Sequence, residues 1–124
     1  MKKPNILSID DEPSFTVLLK EYFEPRGYDI DITSAGDKGL ELLHEKKYDV
    51  VLLDLRMAGL DGGEVMAEIN RSNAGTKIIF ITAYNDSGKT RERLMGEGAY
   101  AFMEKPITSL KRLEELVNRA VKAD

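Results

Sequence analysis

The sequence predicts a doubly wound α/β fold, a (βα)5 three-layer sandwich around a parallel five-stranded sheet of order 2-1-3-4-5. Three observations carry this. Five short apolar runs alternate with helical patterns. Val50-Val51-Leu52-Leu53 is continuously apolar, as in a strand covered on both faces. Tyr28 to Thr33 instead alternates apolar with polar residues, which suits a sheet edge. Strands alternating with helices imply parallel pairing and right-handed crossovers. An edge place for the second strand then selects the order 2-1-3-4-5.

The elements follow in order. Ile6-Leu7-Ser8-Ile9 is the first strand. Pro13 suits a first helical turn, and Phe15, Leu18, Leu19, Tyr22 and Phe23 recur at helical spacing until Pro25 and Gly27 stop the helix. Leu40, Leu42 and Leu43 mark a second helix ending near Lys46-Lys47, and the third strand runs to Asp54. Asp61-Gly62-Gly63 reads as a turn, Val65, Met66 and Ile69 as a third helix, and Asn73-Ala74-Gly75 as its break. Lys77 to Thr82 is a fourth strand. A polar, weak helix spans about Asn85 to Gly96, and Tyr100 to Met103 is the fifth strand. Leu110, Leu113, Leu116, Val117 and Val121 mark the last helix. No linker or repeat divides the chain, so residues 1–124 are expected to form a single domain.

Composition narrows the function. A net charge of -4 argues against a grip on nucleic acid through phosphate neutralisation. The chain has no cysteine, hence no disulfide or thiolate chemistry. No run approaches the roughly 18 apolar residues of a membrane span, and the start lacks the apolar core of a signal peptide. No membrane association and a cytoplasmic location are expected.

In such sheets ligands bind outside the carboxyl ends of the strands. With the first and third strands adjacent, roughly 4.8 Å apart, Asp10-Asp11 and Asp54 would converge there. Crowded carboxylates raise one another's pKa, and a hard divalent cation removes the conflict; magnesium suits oxygen donors. Thr82 and Lys105 close the fourth and fifth strands. Acid, hydroxyl, ammonium and cation together form a cradle for a transferred phosphoryl group, with Asp54 as nucleophile. Each residue singly has a structural reading: helix capping by Asp10-Asp11-Glu12, a cap at Thr82, a solvated Lys105.

Taken together, Ile-Asp-Asp-Glu (9–12), Leu-Leu-Asp-Leu-Arg-Met (52–57) with Asp61-Gly62, Ile-Thr-Ala (81–83), Gly-Ala (98–99) and Lys105-Pro106 resemble the receiver domain of two-component response regulators, a flavodoxin-like fold. The resemblance covers essentially the whole chain. It implies a phosphoacceptor switch rather than an enzyme acting on other molecules: Asp54 takes a phosphoryl group from a phosphohistidine on a sensor histidine kinase or a histidine phosphotransfer protein. It implies Mg²⁺ held by Asp11, Asp54 and the main-chain carbonyl of Arg56, with Asp10 acting mainly through water. Lys105 and the Thr82 hydroxyl would each bond a phosphoryl oxygen, and the bond to Pro106 would be cis. Phe102 takes the place of the aromatic switch residue; lacking a hydroxyl, it is expected to turn inward more often, even unphosphorylated. Output to an effector protein or a fused domain would use the fourth helix, fifth strand and fifth helix, the face through which a phosphorylation-dependent dimer would form.

Two departures from the family pattern, at Ala58 and Gly39, lie outside the cradle. Ala58 replaces a frequent Pro. Gly39 replaces a frequent Ala, at about 0.8–1 kcal/mol to the helix. The resemblance implies that the positions of Arg56 and Tyr84 flank the path of hydrolytic water; neither is an acid or amide suited to orient it, so a long-lived phosphoryl state is expected, the alternative being two solvated loop residues. His44, the sole histidine, reads as a surface residue. Two other readings stay open: a phosphatase with an aspartate nucleophile, for which Arg56 stands where a proton-donating acid is needed, and a partner-binding module that is never phosphorylated.

Overall fold

The computed structural model describes residues 3–72 and 75–123. The strands are β1 (Asn5–Ile9), β2 (Asp29–Thr33), β3 (Val50–Leu53), β4 (Lys77–Thr82) and β5 (Ala101–Glu104). They alternate with α1 (Pro13–Phe23), α2 (Gly36–Glu45), α3 (Gly62–Ser72), α4 (Lys89–Gly96) and α5 (Leu110–Lys122). The sheet is parallel throughout, in the order β2-β1-β3-β4-β5, as the sequence predicts.

Side chains alternate across each central strand, and this divides the core. Leu7, Ile9, Val51, Leu53, Ile78 and Phe80 pack with Leu43, Val65, Met66, Ile69 and Leu94, so α2, α3 and α4 cover one face. Ile6, Val50, Leu52, Ile79 and Ile81 pack with Leu19, Phe23, Leu113 and Val117, so α1 and α5 cover the other. β2 lies at the edge with Asp29 and Asp31 on it. The Lys46 ammonium bridges both acids at 3.1 and 3.2 Å, and the Tyr48 hydroxyl donates to Asp31 at 2.5 Å.

Several local expectations need correction. The buried stripe of α1 is Thr16, Leu19 and Phe23, whereas Leu18 is 46% exposed. Periodicity alone could not choose between two adjacent leucines. The expected turn at Asp61-Gly62-Gly63 is a helix start. Asp61 Oδ1 accepts from the Glu64 backbone N–H at 3.0 Å, and the Glu64 carboxylate accepts from the Asp61 N–H at 3.3 Å. This reciprocal cap is written in the Asp-x-x-Glu spacing ahead of an apolar run. The fourth helix starts later than expected, at Lys89, because Ser87 and Gly88 take left-handed φ values of 64° and 85°. β5 begins one residue late, at Ala101. The break expected at Asn73-Ala74-Gly75 falls at its first two positions outside the described residues.

Gly39 also changes meaning. A methyl group there would lie 2.3 Å from Ile9 Cδ1 and 2.9 Å from its Cγ1, with Ile9 fully buried. Glycine therefore lets α2 lie close against β1. Gly39→Ala is expected to lower stability by about 1 kcal/mol, since overpacking outweighs the gain in helix propensity. Ile9→Val removes the closest clash. Chemical denaturation of both single variants and the double variant should reveal a favourable coupling of about 1 kcal/mol; strict additivity would contradict this packing.

Candidate functional site

One hydrogen bond beyond each ladder fixes the strand tips. The Asp10 N–H donates to Thr33 O at 3.1 Å, the Asp54 N–H to Ile9 O at 2.9 Å, and the Lys105 N–H to Thr82 O at 2.9 Å. These bonds carry the parallel register past the last strand residues, so β1, β3, β4 and β5 deliver their side chains to one cleft. That cleft has a volume of about 450 Å³ and is lined by Asp11, Glu12, Asp54, Arg56, Thr82, Ala83, Tyr84 and Lys105.

Asp10, Asp11 and Asp54 each place a carboxylate oxygen so that the three atoms lie within 4.8 Å of one another. Asp10 and Asp54 are buried and Asp11 is exposed. The Lys105 ammonium lies 2.8 Å from Asp10 Oδ2 and 3.8 Å from Asp54 Oδ2, and it also pairs with Glu12 Oε1. The Thr82 hydroxyl and the Arg56 backbone N–H hydrogen-bond the Asp54 carboxylate. Thr82 Oγ1 in turn accepts from the Tyr84 N–H at 3.2 Å. The bond between Lys105 and Pro106 is cis.

Electrostatics follow from burial. Asp54 has a raised pKa because burial penalises its charge and Asp10 adds repulsion, only partly offset by Thr82, Lys105 and the Arg56 N–H. Burial also raises Asp10, against hydrogen bonds from Lys105 and the Glu12 N–H. Burial works against the Lys105 ammonium too, yet its hydrogen bonds to Asp10 and Glu12 hold its pKa above the ordinary lysine value. The cleft thus has an excess of acid that one lysine does not neutralise. A hard cation with oxygen ligands fits that donor set.

The remaining candidates surround this centre. The Arg56 guanidinium stacks over the Tyr84 ring, 3.8 Å from its centroid, at the side of the cleft. Phe102 is half-buried, with its ring 5.7 Å from that of Phe80, and borders a cavity of about 210 Å³ beside the β4–α4 loop. His44 is exposed on α2 and not among the cleft residues. Sequence reasoning gave Glu12 only a capping role, yet its side chain makes no cap hydrogen bond and reaches Lys105 instead. The Arg56–Tyr84 stack was equally illegible, because 28 positions separate its members.

Fold and cleft together define a class: a doubly wound α/β protein with an acid-, hydroxyl- and ammonium-lined pit at the carboxyl ends of its strands. Residues 6–118 match the family model described as the response regulator receiver domain, and the chain belongs to that family. It is therefore a receiver domain of two-component response regulators, a family of phosphoacceptor switches. It is 32% identical to the transcriptional regulatory protein GlrR of Escherichia coli over 86% of the chain and 24% of that protein. It is 33% identical to the luminescence regulatory protein LuxO of Vibrio campbellii over 92% of the chain and 25% of that protein. The chain thus spans about a quarter of the length of these curated relatives. Among solved structures, it resembles the response regulator TrrA of Thermotoga maritima in complex with Mg²⁺-BeF, at 35% identity and a TM-score of 0.83 over 95% of this chain and 99% of that one. The receiver domain of a LuxO repressor protein from Vibrio parahaemolyticus matches at 29% identity and a TM-score of 0.89, over 97% and 91%.

Proposed function

We propose that Asp54 is the phosphoacceptor of this receiver domain and that it takes its phosphoryl group from a phosphohistidine. The observation that carries this is the meeting of Asp54, Thr82 and Lys105 with the Asp10–Asp11 pair in one cleft. An oxygen of the Asp54 carboxylate forms the bond to phosphorus while the P–N bond breaks and its electron pair leaves with the imidazole. Thr82 and Lys105 donate to phosphoryl oxygens, and the Arg56 N–H keeps the acceptor carboxylate aimed. Asp10, Asp11, Asp54 and the Arg56 carbonyl would hold Mg²⁺, which when bound supplies positive charge that neutralises the phosphoryl oxygens. Asp10 bonds Lys105 directly, so we assign it to orienting that ammonium as well as to the cation.

We read residues 1–124 as one receiver unit without activity toward other substrates, working in the cytoplasm, where ATP supplies the phosphohistidine donor. The partners are a sensor histidine kinase or a histidine phosphotransfer protein upstream, and an effector protein or fused output domain downstream. Neither direct nucleic-acid contact nor a membrane enters this reading. The switch exchanges the Thr82 hydroxyl from the carboxylate to the phosphoryl group, and Phe102 and α4 respond; a phosphorylation-dependent dimer would use α4, β5 and α5. The test is labelling with radioactive acetyl phosphate and Mg²⁺. Label should appear on the wild type and be absent from Asp54→Ala; an unlabelled wild type would end the reading.

We further propose that the Arg56–Tyr84 stack prolongs the phosphoryl state by walling the acceptor from water. Replacing both residues, Arg56→Asn with Tyr84→Glu, is expected to speed phosphate loss about tenfold, about 1.4 kcal/mol in barrier. Unchanged decay in the double variant would refute the wall.

A further inference from the structure

We propose that Glu12 is a positioning residue that holds the Lys105 ammonium away from Asp54 until a phosphoryl group arrives. The inference rests on Asp54 being the acceptor. An ammonium has three N–H donors. On Lys105 the close partners are Asp10, at 2.8 Å, and Glu12, whereas Asp54 lies at 3.8 Å, beyond hydrogen-bond reach. The ring of Phe15 packs 4.7 Å from the same nitrogen and fills its α1 side. Two of the three donors are thus held by Asp10 and Glu12, and closing the 3.8 Å gap toward a phosphoryl oxygen on Asp54 draws the ammonium off one of these carboxylates.

Burial decides which one. The Asp10 side chain is 2% exposed and that of Glu12 is 58% exposed. Taking Lys105 from Asp10 would cost a buried carboxylate its direct hydrogen-bonded ion pair, which is expensive. Releasing Glu12 returns a carboxylate to water, where an exposed pair is worth little. Glu12 is therefore the contact that yields, and its strength sets how readily Lys105 reaches the acceptor. Its backbone is anchored, because the Glu12 N–H donates to Asp10 Oδ1 at 2.9 Å. A side chain one methylene shorter cannot follow the ammonium.

That anchoring separates position from charge. Glu12→Ala removes both charge and reach, and Glu12→Asp keeps the charge but loses the reach. Glu104→Ala, an exposed acid next to Lys105 in sequence and not paired with it, controls for lost charge. The measurement is the rate of Asp54 labelling by acetyl phosphate at fixed Mg²⁺, in which the new O–P bond forms as acetate leaves with the electron pair. Both Glu12 variants are expected to label about threefold to tenfold faster than the wild type. Glu104→Ala should match the wild type, and Mg²⁺ affinity by calorimetry should stay within about twofold for Glu12→Asp. A wild-type rate in Glu12→Asp with a faster Glu12→Ala would reduce the effect to charge and overturn the proposal. So would equal rates in all variants, or a tenfold loss of Mg²⁺ affinity in Glu12→Asp. A wild type that takes no label defeats the acceptor assignment itself, whereas a labelled wild type with unchanged variants defeats only the role of Glu12.

Discussion

Asp54→Asn is expected to lose all phosphoryl labelling and yet, in chelator-treated protein, to unfold at a higher temperature than the wild type. The carboxylate is buried beside Asp10, and burial and that neighbour raise its pKa above the ordinary aspartate value. A raised carboxylate pKa means that the folded state binds the proton more tightly than the unfolded state. Stability then falls as pH rises from the unfolded value, about 3.9, through the folded value, and it stays lower above both. At neutral pH the ionised Asp54 is thus a net cost, which Asn removes while keeping similar volume. A gain of about 1 kcal/mol, or about 3–5 °C in Tm, is the expected scale for a chain of this size. The gain should shrink as pH is lowered toward about 4. Mg²⁺ should reverse the ranking by stabilising the wild type more than Asp54→Asn. Thermal unfolding from pH 4 to 8, with EDTA and with Mg²⁺, measures all three effects. A lower Tm for Asp54→Asn in EDTA would show that Thr82, Lys105 and the Arg56 N–H more than offset burial.

The second large effect is expected from Gly62→Ala. A methyl group at Gly62 would lie 2.4 Å from the Asp54 carbonyl oxygen and 2.8 Å from Leu55 Cα. Both are backbone atoms, so no rotamer change relieves the clash. The Gly62 N–H also donates to Leu55 O at 3.0 Å, tying α3 to the chain leaving β3. Overpacking of this kind costs about 1–3 kcal/mol or more, against about 0.8–1 kcal/mol regained in helix propensity. The net loss should be about 2 kcal/mol, or about 6–10 °C in Tm. Because the displaced backbone carries the acceptor, labelling should also slow, by up to about a hundredfold for a shift near 1 Å. Gly63→Ala is the matched control: its methyl would meet only Asp61 Oδ1, at 3.4 Å. Equal behaviour of the two variants by calorimetry and labelling would contradict the close approach.

Much of this architecture is legible in the sequence because it depends on one-dimensional patterns. Short, largely apolar runs set β1, β3 and β4, and the alternation in β2 set the edge and hence the strand order. The cleft residues were legible for the same reason: Asp10, Asp54, Thr82 and Lys105 stand where apolar runs end. What escaped depends on two distant segments at once. Helix propensity made Gly39 a defect because it sees α2 and not Ile9 behind it. Turn chemistry made Asp61-Gly62-Gly63 a loop because two glycines outweighed the Asp61–Glu64 cap. Glu12 looked like a helix cap because its partner lies 93 residues away.

The charged margin of β2 has a consequence for the protein in concentrated solution. A parallel sheet ends in unpaired amides that could template a foreign strand. Here Asp29, Asp31 and Lys46 crowd that margin with fixed charge. A second molecule trying to extend the sheet on that side would have to strip water from all three. This border therefore discourages intermolecular fibre growth.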